Sequence, residues 1–205
     1  MKNTIEIPST RIEAFSDGVI AILLTLMVFD LKPSGLSDTD TLLAALPDLL
    51  PRLICYVLSF LVIAIMWVNH HQLFHQIKHS SRGLLWHSIH LLFWMSLIPF
   101  STGMLGSAPL FWASSFVYGF VFGMCALSFT LLRGYVLKND LLHIHINPKK
   151  HLRIRNKNRF AFAIYFLAAL VSPLSVWLSF VGFFLVPAMY FIPERIEHNQ
   201  NQNGL

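Results

Sequence analysis

Residues 12–31 read IEAFSDGVIAILLTLMVFDL. Twenty such residues form a helix about 30 Å long, the thickness of a bilayer's hydrocarbon core. The run ends at Lys32-Pro33-Ser34-Gly35, where proline and glycine stop a helix. The eleven residues before it are polar, Asp17 interrupts it, and no small-residue cleavage site accompanies it. It therefore reads as a retained membrane span and not as a secretion signal.

Further apolar runs follow. A polar loop with Asp38, Asp40 and Asp48 is expected next, then a second span from Pro51 through Leu61 and Trp67 to about Phe74. A third covers about 84–105, and Pro109 opens a fourth over 110–132. After the basic stretch Lys138 to Arg159, the segment Phe160 to Ile192 carries no formal charge. As one helix it would be roughly 50 Å long, well beyond the hydrocarbon core. Ser172-Pro173 is expected to divide it into spans 160–171 and 174–192, because proline disfavours helix through the residue before it. The expected fold is an all-α integral membrane protein with six transmembrane helices. Residues 1–198 form one transmembrane domain, and 199–205 form a polar tail.

Composition supports this. The 205 residues are 55% hydrophobic and 12% charged, against roughly 25% charged in soluble domains. Cys55 and Cys125 lie in apolar runs and read as buried side chains, not as a disulfide or metal framework. With six spans, both termini and the second and fourth loops share one side. Thirteen of the fifteen lysines and arginines fall on that side, leaving only Lys32 and Arg52 opposite. The bias places both termini in the cytoplasm. It also accounts for the net charge of +5 through attraction to anionic headgroups, with no nucleic-acid partner.

Two constellations could carry chemistry. Asp17 is a carboxylate inside a span, where it needs protein, water or a partner. Ser16 and the histidines at the end of the second span are candidate partners, whereas Arg11, six residues away, falls on another face. Gly18, Ile22, Thr25, Leu26 and Phe29 follow one helical stripe. Val19, Leu23 and Val28 are also apolar, so periodicity alone does not choose a face. The stripe is either ordinary packing or a narrow apolar wall that excludes water. The second constellation is His70, His71, His75, His79, His87 and His90. On a continuous helix His71, His75 and His79 would share one face and could hold a metal or form a hydrogen-bond network. Gly119-x-x-x-Gly123 permits close helix approach. No Walker loop, Gly-x-Ser-x-Gly, His-Glu-x-x-His, Cys-x-x-Cys or Thr-Val-Gly-Tyr-Gly occurs, and no catalytic residue is assigned.

Arg11-x-x-x-Phe15-Ser16-Asp17 followed by Gly18-Val19-Ile20-Ala21-Ile22, together with Trp67-x-Asn69-His70-His71-x-x-Phe74, resembles the transmembrane protein 175 family of potassium-permeable channels. The resemblance implies a homotetramer in a bacterial plasma membrane, with a central pore lined by the first helix. It implies an apolar constriction at Ile22, further apolar layers at Leu26 and Phe29, and a part in cation preference for Thr25. Phe29 is bulkier than the aliphatic residue usual in the family there. Arg11, Phe15, Ser16, Asp17, Trp67, Asn69 and His70 would form a structural network fastening the first helix. The permeant species would be potassium ions, with no cofactor, resident metal or enzymatic activity. Two rival readings rest on the residues themselves: a histidine-metal membrane oxidoreductase, and a proton-coupled transporter using Asp17 and His70.

Overall fold

The computed structural model describes residues 8–32, 39–142 and 148–191, with backbone alone at 39–42, 148–152 and 191. Lys2, Pro33 to Gly35, Asp38, the Asp40 side chain, Arg195 and the tail 199–205 lie outside the described residues.

Among the described residues the chain forms α1 (Ser9–Leu26), a short 3-10 turn (Met27–Leu31), α2 (Thr39–Phe74), α3 (Arg82–Ser96), α4 (Ile98–Ser107), α5 (Trp112–Lys138), α6 (Pro148–Val171) and α7 (Val176–Phe191). Among the described residues four stretches are long and apolar enough to cross a membrane: Ser9–Leu31, Leu43–Phe74, Arg82–Ser107 and Trp112–Lys138. The chain is thus an all-helical membrane protein. Val176–Tyr190 is apolar but shorter, and α6 is basic through its first half.

Several boundaries differ from expectation for local reasons. The second helix starts at Thr39, twelve residues before Pro51, so Asp40 and Asp48 belong to a helix and not to a loop. Leu43, Leu46 and Leu50 at helical spacing outweigh the prolines at 47 and 51. The third run breaks at Leu97 into α3 and α4. Pro99 lacks the N–H that would bond back to Met95. The basic stretch is largely helical, because α6 begins at Pro148. The division at Ser172-Pro173 is present. Ser172 Oγ donates to the Ala169 carbonyl at 2.7 Å, closing α6, and Ser179 Oγ donates to the Ala168 carbonyl at 2.7 Å, stitching α7 back onto it.

The core lies where α2, α5, α6 and α7 meet. Tyr118, Phe122, Tyr165 and Phe183 are fully buried there, with Tyr118 to Phe122 at 4.4 Å and Tyr118 to Phe183 at 4.7 Å between ring centres. Glycine permits the closest approach. A methyl group on Gly119 would come within 2.9 Å of the Tyr165 carbonyl oxygen, whereas one on Gly123 would make only ordinary contacts at 3.7 Å. A buried hydroxyl chain joins three helices: Thr102 Oγ1 donates to Ser59 Oγ at 2.8 Å, and Ser59 Oγ meets Tyr118 Oη at 3.0 Å. Helix α1 stands at the side of this bundle and packs on α2 and α3.

Candidate functional site

The register of α1 divides it into two faces. Ile12, Ser16, Ile20 and Leu23, with Met27 on the 3-10 turn, are buried. The opposite face carries Phe15, Ile22, Leu26 and Phe29, which are 60%, 58%, 45% and 59% exposed. Thr25 and Gly18 share that exposed face. Burial therefore makes the choice that periodicity left open: Leu23 is core, Val19 is half-buried, and Val28 is exposed beside Phe29.

The C-terminal part of the stripe is not a plain α-helix. From Met27 the backbone tightens into a 3-10 turn, which places residues three apart directly above one another. Leu26 and Phe29 therefore stand in closer register than a 3.6-residue repeat implies. Lys32 Nζ lies 4.9 Å over the Phe29 ring. Asp30 is exposed, and its carboxylate leans on Gly103 of α4, where a methyl group would come within 2.8 Å of Oδ2. Thr25 Oγ1 donates to the Ile22 carbonyl at 2.8 Å. With its proton so directed, the hydroxyl oxygen keeps lone pairs for a cation or water.

The N-terminal part of α1 is tied to α2 by two rungs. Trp67 Nε1 donates to Asp17 Oδ1 at 3.0 Å. His71 Nδ1 meets Glu13 Oε1 at 2.9 Å. Each rung steps four residues back on α1 and four forward on α2, as neighbouring antiparallel helices require. The Trp67 and His71 rings stack at 5.9 Å, which holds the two α2 partners in line. The ligand atoms of Glu13, Asp17 and His71 lie within 4.8 Å of one another.

The expected network is only partly assembled. Asp17 and Trp67 meet. Ser16 Oγ instead donates to the Ile12 carbonyl of its own helix at 2.8 Å, and Asn69 Nδ2 donates to the Ile65 carbonyl of its own at 2.8 Å. Arg11 and Phe15 are exposed, and no hydrogen bond or ion pair joins Arg11 to Asp17 among the described residues. His70 is buried against Phe74, its ring centre 4.3 Å away. Sequence reasoning missed the Glu13–His71 rung. The spacing of Glu13 to Asp17 against that of Trp67 to His71 held the signal, but reading it needs the helix register.

The histidines keep only part of the expected spacing: the His71 and His75 rings stack at 6.4 Å. Helix α2 ends at Phe74, so His79 leaves the face shared by His71 and His75. His87 Nδ1 bonds the Gly83 carbonyl at 2.8 Å, and His90 Nε2 accepts from Trp94 at 3.2 Å. These rings serve separate local contacts.

A potassium channel of Chryseobacterium sp. (strain P1-3) is 33% identical over 195 residues, which is 94% of this chain and 98% of that protein. The family described as endosomal/lysosomal potassium channel TMEM175 matches residues 11–99. The chain belongs to the TMEM175 family. Within that family, the crystal structure of a lysosomal potassium-selective channel TMEM175 homolog from Chamaesiphon minutus superposes with a TM-score of 0.78 at 29% identity, covering 89% of this chain and 95% of that one. The human endosomal/lysosomal proton channel TMEM175 is 35% identical over 82 residues, 36% of this chain and 16% of that protein. The TMEM175 family is one of ion channels, not of enzymes.

Proposed function

We propose that the chain is one subunit of a homotetrameric, potassium-permeable channel whose central pore is lined by α1. The observation that carries this reading is the exposed apolar stripe on a helix whose other face is fastened to its own bundle. A single subunit leaves that stripe uncovered. Four copies around an axis cover one another's flanks and leave a narrow apolar path. Ile22 forms the constriction, Leu26 and Phe29 the layers outside it, and Thr25 offers hydroxyl oxygens between them. Such a path conducts when hydrated and closes by dewetting. The protein uses no cofactor, and its permeant ions are potassium.

The helices cross the bilayer six times, the third crossing being α3 and α4 together and the last two α6 and α7. Both termini face the cytoplasm of a bacterial cell, with the membrane the inner one. The one-sided placement of basic residues supports this orientation. Full-length bacterial relatives named potassium channels support potassium over protons, because the vertebrate proteins named proton channels match only about a third of the chain.

Flux from liposomes tests the reading. Purified protein should release potassium faster than sodium, and Ile22→Asn should speed the release by wetting the constriction. No potassium flux from either protein removes the channel reading. Imaging of the purified particle should show fourfold symmetry with α1 at the centre.

A further inference from the structure

At the basic end of the bundle a wide cleft opens between α5 and α6, with a volume of about 600 Å³. Three cationic side chains line it: Lys138 from the end of α5, and Arg155 and Arg159 from α6. The two arginines are four residues apart and so share one face of α6. No carboxylate lines the cleft among the described residues. Arg155 Nε is buried and has no hydrogen-bond partner among them. Three cationic side chains on one lining, one of them with an unanswered buried donor, favour the entry of an anion.

The cleft also has an apolar end. Leu131, one turn before Tyr135, lines it and is 46% exposed. Helix α6 loses all charge from Phe160 onward, immediately after Arg159. The cations therefore sit where the chain passes from polar to apolar, and the cleft continues toward the apolar side. Its floor is bare at Gly134, where a methyl group would meet nothing within 4 Å. The His87 ring of α3 also lines the cleft, stacked on Tyr135 at 4.6 Å.

We infer that this cleft binds an anionic phospholipid, its phosphate held by Lys138, Arg155 and Arg159 and its acyl chain lying along Leu131. Guanidinium groups present paired N–H donors that match two phosphate oxygens. Basic pockets between membrane helices hold lipid headgroups in this way. A soluble phosphate would satisfy the cations but would leave the apolar end unfilled.

The test uses the full-length protein in detergent and counts retained lipid by native mass spectrometry. Wild type should retain phosphatidylglycerol in preference to phosphatidylcholine. Arg155→Gln/Arg159→Gln should weaken retention about thirtyfold, from the loss of two cations at a lipid surface. Gly134→Leu fills the cleft without changing charge and should also weaken retention of phosphatidylglycerol. If the double variant fails to fold, Lys138→Gln replaces it, with a smaller loss expected. Equal retention of the two lipids, or retention unchanged in Gly134→Leu, overturns the proposal. A further arm adds inorganic phosphate alone and follows thermal unfolding. Stabilisation matching that by phosphatidylglycerol overturns the lipid assignment in favour of a soluble phosphate, and its absence supports the lipid.

Discussion

The indole N–H of Trp67 donates to Oδ1 of Asp17 at 3.0 Å. This bond joins α1 to α2 and gives a membrane-embedded carboxylate its partner. In the proposed channel Asp17 is a fastening, and the ion path follows the exposed face of the same helix, which carries Ile22, Leu26 and Phe29. Trp67→Phe should destabilise the folded protein by about 1–3 kcal/mol, because it removes the donor and leaves the carboxylate unanswered. Asp17→Asn keeps an acceptor and should cost less. Thermal unfolding in detergent measures both. If Asp17→Asn instead abolishes transport in a protein of normal stability, Asp17 acts on the ion or proton directly.

The hydroxyl chain gives a second prediction. Ser59 bonds both Thr102 and Tyr118 in a buried setting. Ser59→Ala should cost about 1–2 kcal/mol, since two hydroxyls lose their partner at once, and Tyr118→Phe should cost less. The order of melting temperatures, wild type above Tyr118→Phe above Ser59→Ala, is the check.

The two glycines of α5 should respond differently. Gly119→Ala drives a methyl group onto the Tyr165 backbone, and overpacking of this kind costs about 1–3 kcal/mol. Gly123→Ala meets only ordinary contacts and should be neutral or slightly stabilising. Equal melting temperatures for the two variants would show that α5 and α6 pack less closely than described.

The histidines should not bind iron in stoichiometric amount. Oxygenase chemistry needs several imidazoles converging on one point, whereas His70, His87 and His90 turn to Phe74, Gly83 with Tyr135, and Trp94. Elemental analysis of purified protein decides this. One or more iron atoms per subunit would restore the oxidoreductase reading.

Much of the fold was legible because lipid imposes simple rules. Apolar length marked the runs, Pro173 marked the break between α6 and α7, and the bias of lysine and arginine supplied an expected orientation. What was missed depends on competition between local signals. Asp38, Asp40 and Asp48 suggested a loop up to Pro51 where leucines at helical spacing prevail from Thr39 onward, and Pro99 was overlooked inside an otherwise continuous apolar run. At the candidate site, the residues Asp17 and Trp67 were named from the sequence but their bond was not. Glu13–His71 was not anticipated at all. Both rungs depend on how far α1 is displaced along α2, a quantity that no spacing within one helix contains. The face of α1 was equally hidden, since apolar residues surround the helix and only packing against α2 and α3 distinguishes Leu23 from Ile22.

The most direct measurement of the division of α1 is block of potassium flux by a water-soluble thiol reagent. The native Cys55 and Cys125 are buried and should not react. Ile22→Cys and Phe29→Cys are expected to lose most of their flux on modification, whereas Leu23→Cys, on the buried face, and Leu178→Cys, on the exposed side of α7, should keep it. Flux unaffected at positions 22 and 29, or lost equally at 23 and 178, would contradict a pathway along the exposed stripe of the first helix.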